Sequence, residues 1–162
     1  MIRKTLLFLL LALVVVTVMD LWRGKDLPKG ALPDTRWITL DAQHVDLVEQ
    51  SYGEPVIVYF WGSWCPVCHV LTPSVDWVDN YLPVVSVAMS SGSAHQVQRY
   101  LQNNDYQLAV VNDPNAAISG QWGVPVTPAF AIVRNGEIHS FTAGVTTPLG
   151  LYARWLWAYA AG

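Results

Sequence analysis

Val56-Ile57-Val58-Tyr59-Phe60-Trp61-Gly62-Ser63-Trp64-Cys65-Pro66-Val67-Cys68-His69-Val70-Leu71-Thr72-Pro73 decides how this 162-residue chain folds. Val56–Phe60 is an apolar run rich in β-branched and aromatic residues, the pattern of a strand buried on both faces. Beyond it, Leu71, Val75, Val78 and Leu82 recur at helical spacing and give a helix one apolar face. Cys65 and Cys68, the two cysteines of the chain, therefore fall at a strand-to-helix junction. Cys65 reads as the helix cap and Pro66 as the first helical residue, where a missing N–H costs nothing. Unpaired backbone N–H groups and the positive end of the helix dipole then face the Cys65 sulfur, favouring an exposed, reactive thiolate. Cys68, one turn inside, can close a disulfide with it. A nucleophilic and a resolving thiol on one rigid element suit exchange through a mixed disulfide. As a structural brace the bridge closes too short a loop to restrict the unfolded chain much.

Working outward, Phe60–Cys68 resembles the FWxxWCxxC active site of the thioredoxin superfamily. Pro73, five residues past Cys68, matches the proline that kinks the helix in that family, and Val126-Thr127-Pro128-Ala129-Phe130 resembles its Thr-Pro loop. The resemblance implies a cis Thr127–Pro128 bond lying against the cysteines and offering backbone groups to a substrate. It assigns catalysis to Cys65 and Cys68, and substrate positioning to Thr127, Pro128, Trp64, Pro66 and Val67. The Cys65–Cys68 disulfide would be the sole redox group, with no separate cofactor. One departure stands out: the family often carries a buried acid six residues before the first cysteine, where this chain has Tyr59. A proton acceptor beneath Cys68 is therefore not evident.

The same residues leave other chemistry open. Cys65-Pro66-Val67-Cys68-His69 also satisfies CxxCH, the attachment pattern of c-type haem, and Cys65, Cys68 and His69 would form a soft-metal site suited to Cu(I). Trp61 and Trp64 either shape a substrate groove or pack beside the site. His44, His95 and His139 show no ligand spacing and read as surface or edge residues.

At the N-terminus, Arg3-Lys4 precedes Leu6–Met19, whose only polar residue is Thr17. Thr5–Trp22 is at the short end for a membrane span and long for a signal-peptide core, and no small-x-small cleavage site follows. Residues 1–22 thus read as an uncleaved signal anchor, with a cleaved signal peptide or a buried core helix as the other readings. Cations lie on both sides of the span, but the short tail before it favours translocation of the C-terminal domain into a periplasm or an equivalent oxidising space. Removing Arg3, Lys4 and Asp20 leaves seven Lys and Arg against eleven Asp and Glu, with no Lys after Lys29. That acidic balance excludes a nucleic-acid-binding face.

Residues 23–36 carry Gly24, Pro28, Gly30 and Pro33 and read as a linker, which leaves 37–162 as the folded domain. There, Trp37–Leu40 and His44–Leu47 suggest a hairpin and Leu47–Tyr52 a short helix. Val84–Met89 and Leu108–Val111 read as strands, with a helix capped by Ser93 between them and another over Pro114–Gly120. Ala129–Arg134 and Glu137–Phe141 flank Asn135-Gly136, a strong two-residue hairpin signal. The last helix starts at Thr147-Pro148 and places Tyr152, Trp155, Leu156 and Tyr159 on one face, expected to pack on the sheet rather than to touch membrane or partner. The fold expected is α/β: a thioredoxin-like mixed sheet flanked by helices, with an N-terminal hairpin and a central insertion at Ser90–Asp113, after one N-terminal transmembrane helix. That arrangement resembles the membrane-tethered TlpA/ResA group, and within it the copper-sensitivity suppressors, through the short anchor, the Pro-Val dipeptide and the Trp-rich C-terminus. The group implies protein thiol or disulfide substrates and a transmembrane electron carrier of the DsbD or ScsB kind. The resemblance implies a reductase in copper or redox stress tolerance, with Cu(I) binding or delivery by the same thiols and thiol reduction in cytochrome c maturation as the alternative roles.

Overall fold

The computed structural model describes residues 30–33 and 35–161. The anchor expected over residues 1–22 lies outside them. Among the described residues no helix is long and apolar enough to cross a membrane.

The organising element is a strand, Val56–Trp61, all six of whose side chains are buried. In chain order, the elements are β1 (Gly30–Ala31), β2 (Arg36–Ile38), β3 (His44–Asp46), α1 (Leu47–Gly53), β4 (Val56–Trp61), α2 (Pro66–Asp79), β5 (Val84–Met89), α3 (Ala94–Asn104), β6 (Val110–Asp113), α4 (Ala117–Gln121), β7 (Ala129–Arg134), β8 (Glu137–Ala143) and α5 (Pro148–Ala161). Six strands form one mixed sheet in the order β1-β8-β7-β4-β5-β6, and β2 and β3 make a separate hairpin. β4, β5 and β6 run parallel, while β7 lies antiparallel to β4, β8 to β7 and β1 to β8.

Alternation along β4 divides the core. Ile57, Tyr59 and Trp61 point to one face, where they meet Cys65, Cys68, Leu71, Val75 and Val78 of the α2 segment and Leu151 and Ala158 of α5. Val56, Val58 and Phe60 point to the other, packing with Trp37, Val45, Leu47 and Trp122 from the hairpin, α1 and the end of α4. Burial on both faces is why β4 reads as an unbroken apolar run rather than an alternating one.

The expected thioredoxin-like architecture is present, with local differences. Gly30–Ala31, read as linker, pairs with Ile138 and Glu137 as an edge strand, a contact between segments far apart in the chain. β6 begins at Val110 rather than Leu108, although Leu108 is buried. α4 begins at Ala117 because Ala116 is in the left-handed region (φ 56°). At the β7–β8 turn Asn135 and Gly136 take φ of 53° and 76°, as their sequence demands. The last helix is turned from the expected face. Leu151 and Ala158 are buried and Trp155 is half-buried against the core, whereas Tyr152, Leu156 and Tyr159 are exposed. Trp155 is held by its indole N–H, which donates to the Pro55 carbonyl at 2.6 Å.

Candidate functional site

The α2 helix starts as its sequence specifies. Cys65 is the N-cap in extended backbone (φ −89°, ψ 111°), Pro66 occupies the first helical turn, and the Cys68 amide N–H donates to Cys65 Sγ at 3.1 Å. A sulfur thus takes the place of the usual capping oxygen and accepts one of the orphan helix donors. Cys65 and Cys68 are joined as a disulfide, their Cα atoms 5.2 Å apart. Pro73 lies inside α2, as expected. The thiol expected to be exposed is not: Cys65 keeps only 3% of its surface and Cys68 none. The Thr127–Pro128 loop and the core side chains of β4 close around the sulfurs.

That loop arrives from β7. The Thr127–Pro128 peptide is cis, and the Thr127 carbonyl oxygen lies 3.8 Å from Cys65 Sγ. Pro128 is buried, and the Thr127 hydroxyl oxygen is buried without a hydrogen-bond partner. Next to the sulfur the surface is apolar: Trp64, Pro66, Val67 and Val126 are all exposed. The two tryptophans of the motif therefore divide. Trp61 is fully buried, 5.4 Å from the Tyr100 ring, whereas Trp64 faces solvent.

Residues outside the motif fix Trp64. Its indole N–H donates to the Met89 carbonyl at 3.0 Å, and the Ser63 amide donates to Ser91 Oγ at 2.9 Å. The indole passes so close over Gly62 that a Cβ there would sit 2.6 Å from Trp64 Nε1. Gly62 is needed for that approach rather than for its own backbone angles. Sequence reasoning missed the Ser91 support. Its signal was the Ser90-Ser91-Gly92-Ser93 cluster directly after β5, a loop at the end of a central strand.

Beneath the pair, Tyr59 occupies the position of the missing acid. Thr72 donates its hydroxyl to the Cys68 carbonyl at 2.7 Å, so Tyr59, 3.0 Å from Thr72 Oγ1, is the donor of that pair. Burial, the largest influence, pushes the phenol up from its ordinary value. Tyr59 therefore stays protonated at neutral pH, its ring stacked 4.8 Å from Phe130. It supplies packing and a hydrogen bond, not a base.

His69 does not turn toward the sulfurs. Its Nε2 meets the Ser63 carbonyl at 2.8 Å, and its ring lies edge-on to Tyr100. Among the described residues no group of three or more His, Cys, Asp and Glu is placed to hold a metal ion. The Cys65–Cys68–His69 ligand set weighed from the sequence is not assembled in this geometry. His44 and His95 are exposed as expected, while His139 is half-buried against Trp157.

A family model described as Redoxin matches residues 24–148. The chain belongs to the Redoxin family. The expected thioredoxin-superfamily membership is thus met. This redoxin is 30% identical over 164 residues to a thioredoxin-like protein of Haemophilus influenzae, covering 98% of this chain and 95% of that one. It is 26% identical over 136 residues to the thiol:disulfide interchange protein DsbE of Xylella fastidiosa, covering 77% and 67% of the two chains. Among solved structures it is similar to a secreted disulfide oxidoreductase of Mycobacterium tuberculosis homologous to Escherichia coli DsbE. The TM-score there is 0.60 at 25% identity, with 75% of this redoxin and 93% of that chain covered. Thiol–disulfide interchange, for which the Xylella relative is named, is the chemistry expected of the CxxC pair.

Proposed function

We propose that this redoxin is a thiol–disulfide oxidoreductase in which Cys65 is the attacking thiolate and Cys68 the resolving thiol. The observation that carries the reading is the Cys68 N–H aimed at Cys65 Sγ from the first turn of α2, on the less buried sulfur of a disulfide-forming pair. In the reduced protein that donor and the helix dipole stabilise negative charge on Cys65 rather than on Cys68. The Cys65 thiolate attacks one sulfur of a substrate disulfide, forming a Cys65–substrate bond and expelling the other substrate sulfur as a thiolate. Cys68, once deprotonated, attacks Cys65 Sγ, closes the intramolecular disulfide and releases the second substrate thiol. The substrate disulfide gains two electrons and the dithiol loses two. With Tyr59 protonated, water or a substrate group takes the Cys68 proton.

Trp64, Pro66, Val67 and Val126 give the partner an apolar platform, and the Thr127 carbonyl and the buried edge of Pro128 align its sulfur with Cys65. The disulfide itself is the redox group, with no further cofactor. The substrates are protein thiols and disulfides. Residues 1–22 anchor the chain in a bacterial inner membrane, the domain faces the periplasm, and a transmembrane carrier of the DsbD or ScsB kind supplies electrons. Reductase action in copper or redox stress is the role we assign, on the Pro66-Val67 dipeptide and the Trp-rich C-terminus. Reduction of an apocytochrome for haem attachment uses the same chemistry, and Cu(I) delivery the same thiols. The test is insulin-disulfide reduction by the full chain: Cys65→Ser should fall to the uncatalysed background, and unchanged activity would refute the assignment.

A further inference from the structure

The sheet has two ends, and the exposed aromatic residues are divided unequally between them. β4 runs from Val56 toward the dithiol, and the opposite end gathers the start of β4, the end of β7 and the starts of β5 and β8, paired as Val56 with Val133, Arg134 with Glu137 and Ile57 with Val84. Around this far end Tyr52, Trp77, Tyr81, Trp157 and Tyr159 are all more than half exposed. Each is tied there by a contact. Tyr52 lies against the Gly136 turn, and the Trp77 ring lies tilted 5.0 Å from Tyr81, just before β5. Trp157 meets His139 edge-on, and Arg134 caps the Tyr159 ring. Elsewhere among the described aromatic residues, Trp64 at the dithiol end and Tyr152 near the start of α5 are about half exposed.

The first described residues join the sheet close to this end, β1 running toward it antiparallel to β8. Gly30 and Ala31 pair with Ile138 and Glu137, directly beside the His139–Trp157 contact. Between Trp22 and Gly30 lie seven residues, which span at most about 25 Å when fully extended. A domain tethered that closely, by that end, presents the same aromatic surface to the bilayer whenever it approaches. Trp and Tyr favour the headgroup layer, where the ring is desolvated and its N–H or O–H stays wet.

We infer that this end is a bilayer-seating surface: Trp77, Tyr81, Trp157 and Tyr159, with Tyr52, rest in the headgroup layer and hold Cys65–Cys68 facing away from the membrane. The inference rests on the reading of residues 1–22 as an anchor. It sets the dithiol about 20 Å above the seating surface, one β4 length away. The electron donor must therefore present its thiols on a water-exposed domain rather than within the bilayer. Charge does not drive the seating. Arg134 shares this end with Glu54, Asp79 and Glu137, so seating on zwitterionic lipid should persist at high salt.

The full chain in phosphatidylcholine nanodiscs, with and without a gadolinium-chelate headgroup lipid, tests this through its eight tryptophan indole N–H signals. Expected is strong broadening of Trp22, Trp77 and Trp157, with Trp64 left sharp at both low and high salt. Broadening of Trp22 alone, or of Trp64 as much as Trp157, would overturn the seating surface. A sharp Trp22 would mean that the anchor reading has failed; broadened Trp77 and Trp157 would then still support the surface, and sharp ones would overturn it. Tyr81→Glu, outside the dithiol site, should recover at least half of the lost Trp157 signal without changing insulin reduction. No recovery would count against the surface.

Discussion

The two ends of one strand, β4, are built from different materials. At the dithiol end the backbone does the chemistry. A helix N-terminus aims an amide at Cys65, a cis peptide brings the Thr127 carbonyl to 3.8 Å from it, and Gly62 gives way to the Trp64 indole. At the far end the side chains dominate, as exposed rings around a plain hairpin turn. The first end recognises sulfur and an extended chain, for which backbone groups in fixed positions suffice. The second has no such group aimed outward, and only its aromatic surface distinguishes it. A reactive site and an exposed aromatic patch need not coincide, and here they lie at opposite poles.

The sharpest way to break this contrast is at the resolving thiol. Cys68→Ser should still permit attack by Cys65 but not release, so turnover falls to background while a mixed disulfide with substrate accumulates. Non-reducing gel electrophoresis reads it, and continued turnover would contradict the division of roles.

Next in size is Asp113→Ala at the dithiol end. This buried carboxylate accepts from the Ile118 and Ser119 amides and from the Ser119 hydroxyl at 2.7–3.1 Å. Removing it strands three donors, the two of Ser119 buried, at a cost of about 3 kcal/mol in unfolding free energy, measured by urea titration. The exchange rate per folded molecule should hold.

Gly62→Ala should cost less. Its methyl collides with the Trp64 indole, which must swing out and give up the bond to the Met89 carbonyl. About 1 kcal/mol of stability is lost, with a weaker substrate KM and a red-shifted tryptophan emission.

The smallest effect belongs to the far end. Burial, opposed by the Val84 N–H and aided by Asp76, raises the Asp79 carboxyl to about 6. Because the folded value lies above the ordinary 3.8, the cost of burying charge is present above pH 6. That cost disappears as pH falls from about 6 toward 3.8, so the native protein gains stability over that window. Asp79→Asn keeps an acceptor for Val84 and should flatten that segment of the stability–pH curve, with the variant more stable at pH 8 and no better near pH 4. A curve unchanged by the substitution would mean that Asp79 is not desolvated.

How much of the molecule was legible depends on the range of the interactions involved. The β4–α2 junction, the cap at Cys65, Pro66 in the first turn and the Asn135-Gly136 hairpin are set by neighbours in sequence, and each was readable. The Thr127-Pro128 loop was recognisable as a motif, though its approach to Cys65 spans sixty-two positions. β1 was not readable: Gly30 and Ala31 carry no side-chain signal, and their partners lie more than a hundred residues away. α5 was misread because its rings suit a core or an interface equally well. The helix settles on Leu151, Trp155 and Ala158, leaving Tyr152, Leu156 and Tyr159 outside. Tyr59 was visible as a departure, yet its meaning lay in Thr72, one turn beyond Cys68 in α2.

The central claim is that Cys65 and Cys68 form a working two-electron couple. Equilibrating the full chain in glutathione and dithiothreitol buffers, with the dithiol fraction read by thiol alkylation, tests it most directly. A helix N-terminus that stabilises the Cys65 thiolate favours the reduced form. The account therefore predicts a reversible transition with a slope of about 30 mV per decade and a midpoint above the roughly −300 mV of structural disulfides; for a reductase it falls near −270 mV. A pair that stays oxidised below −300 mV, or that shows no reversible couple, would contradict it.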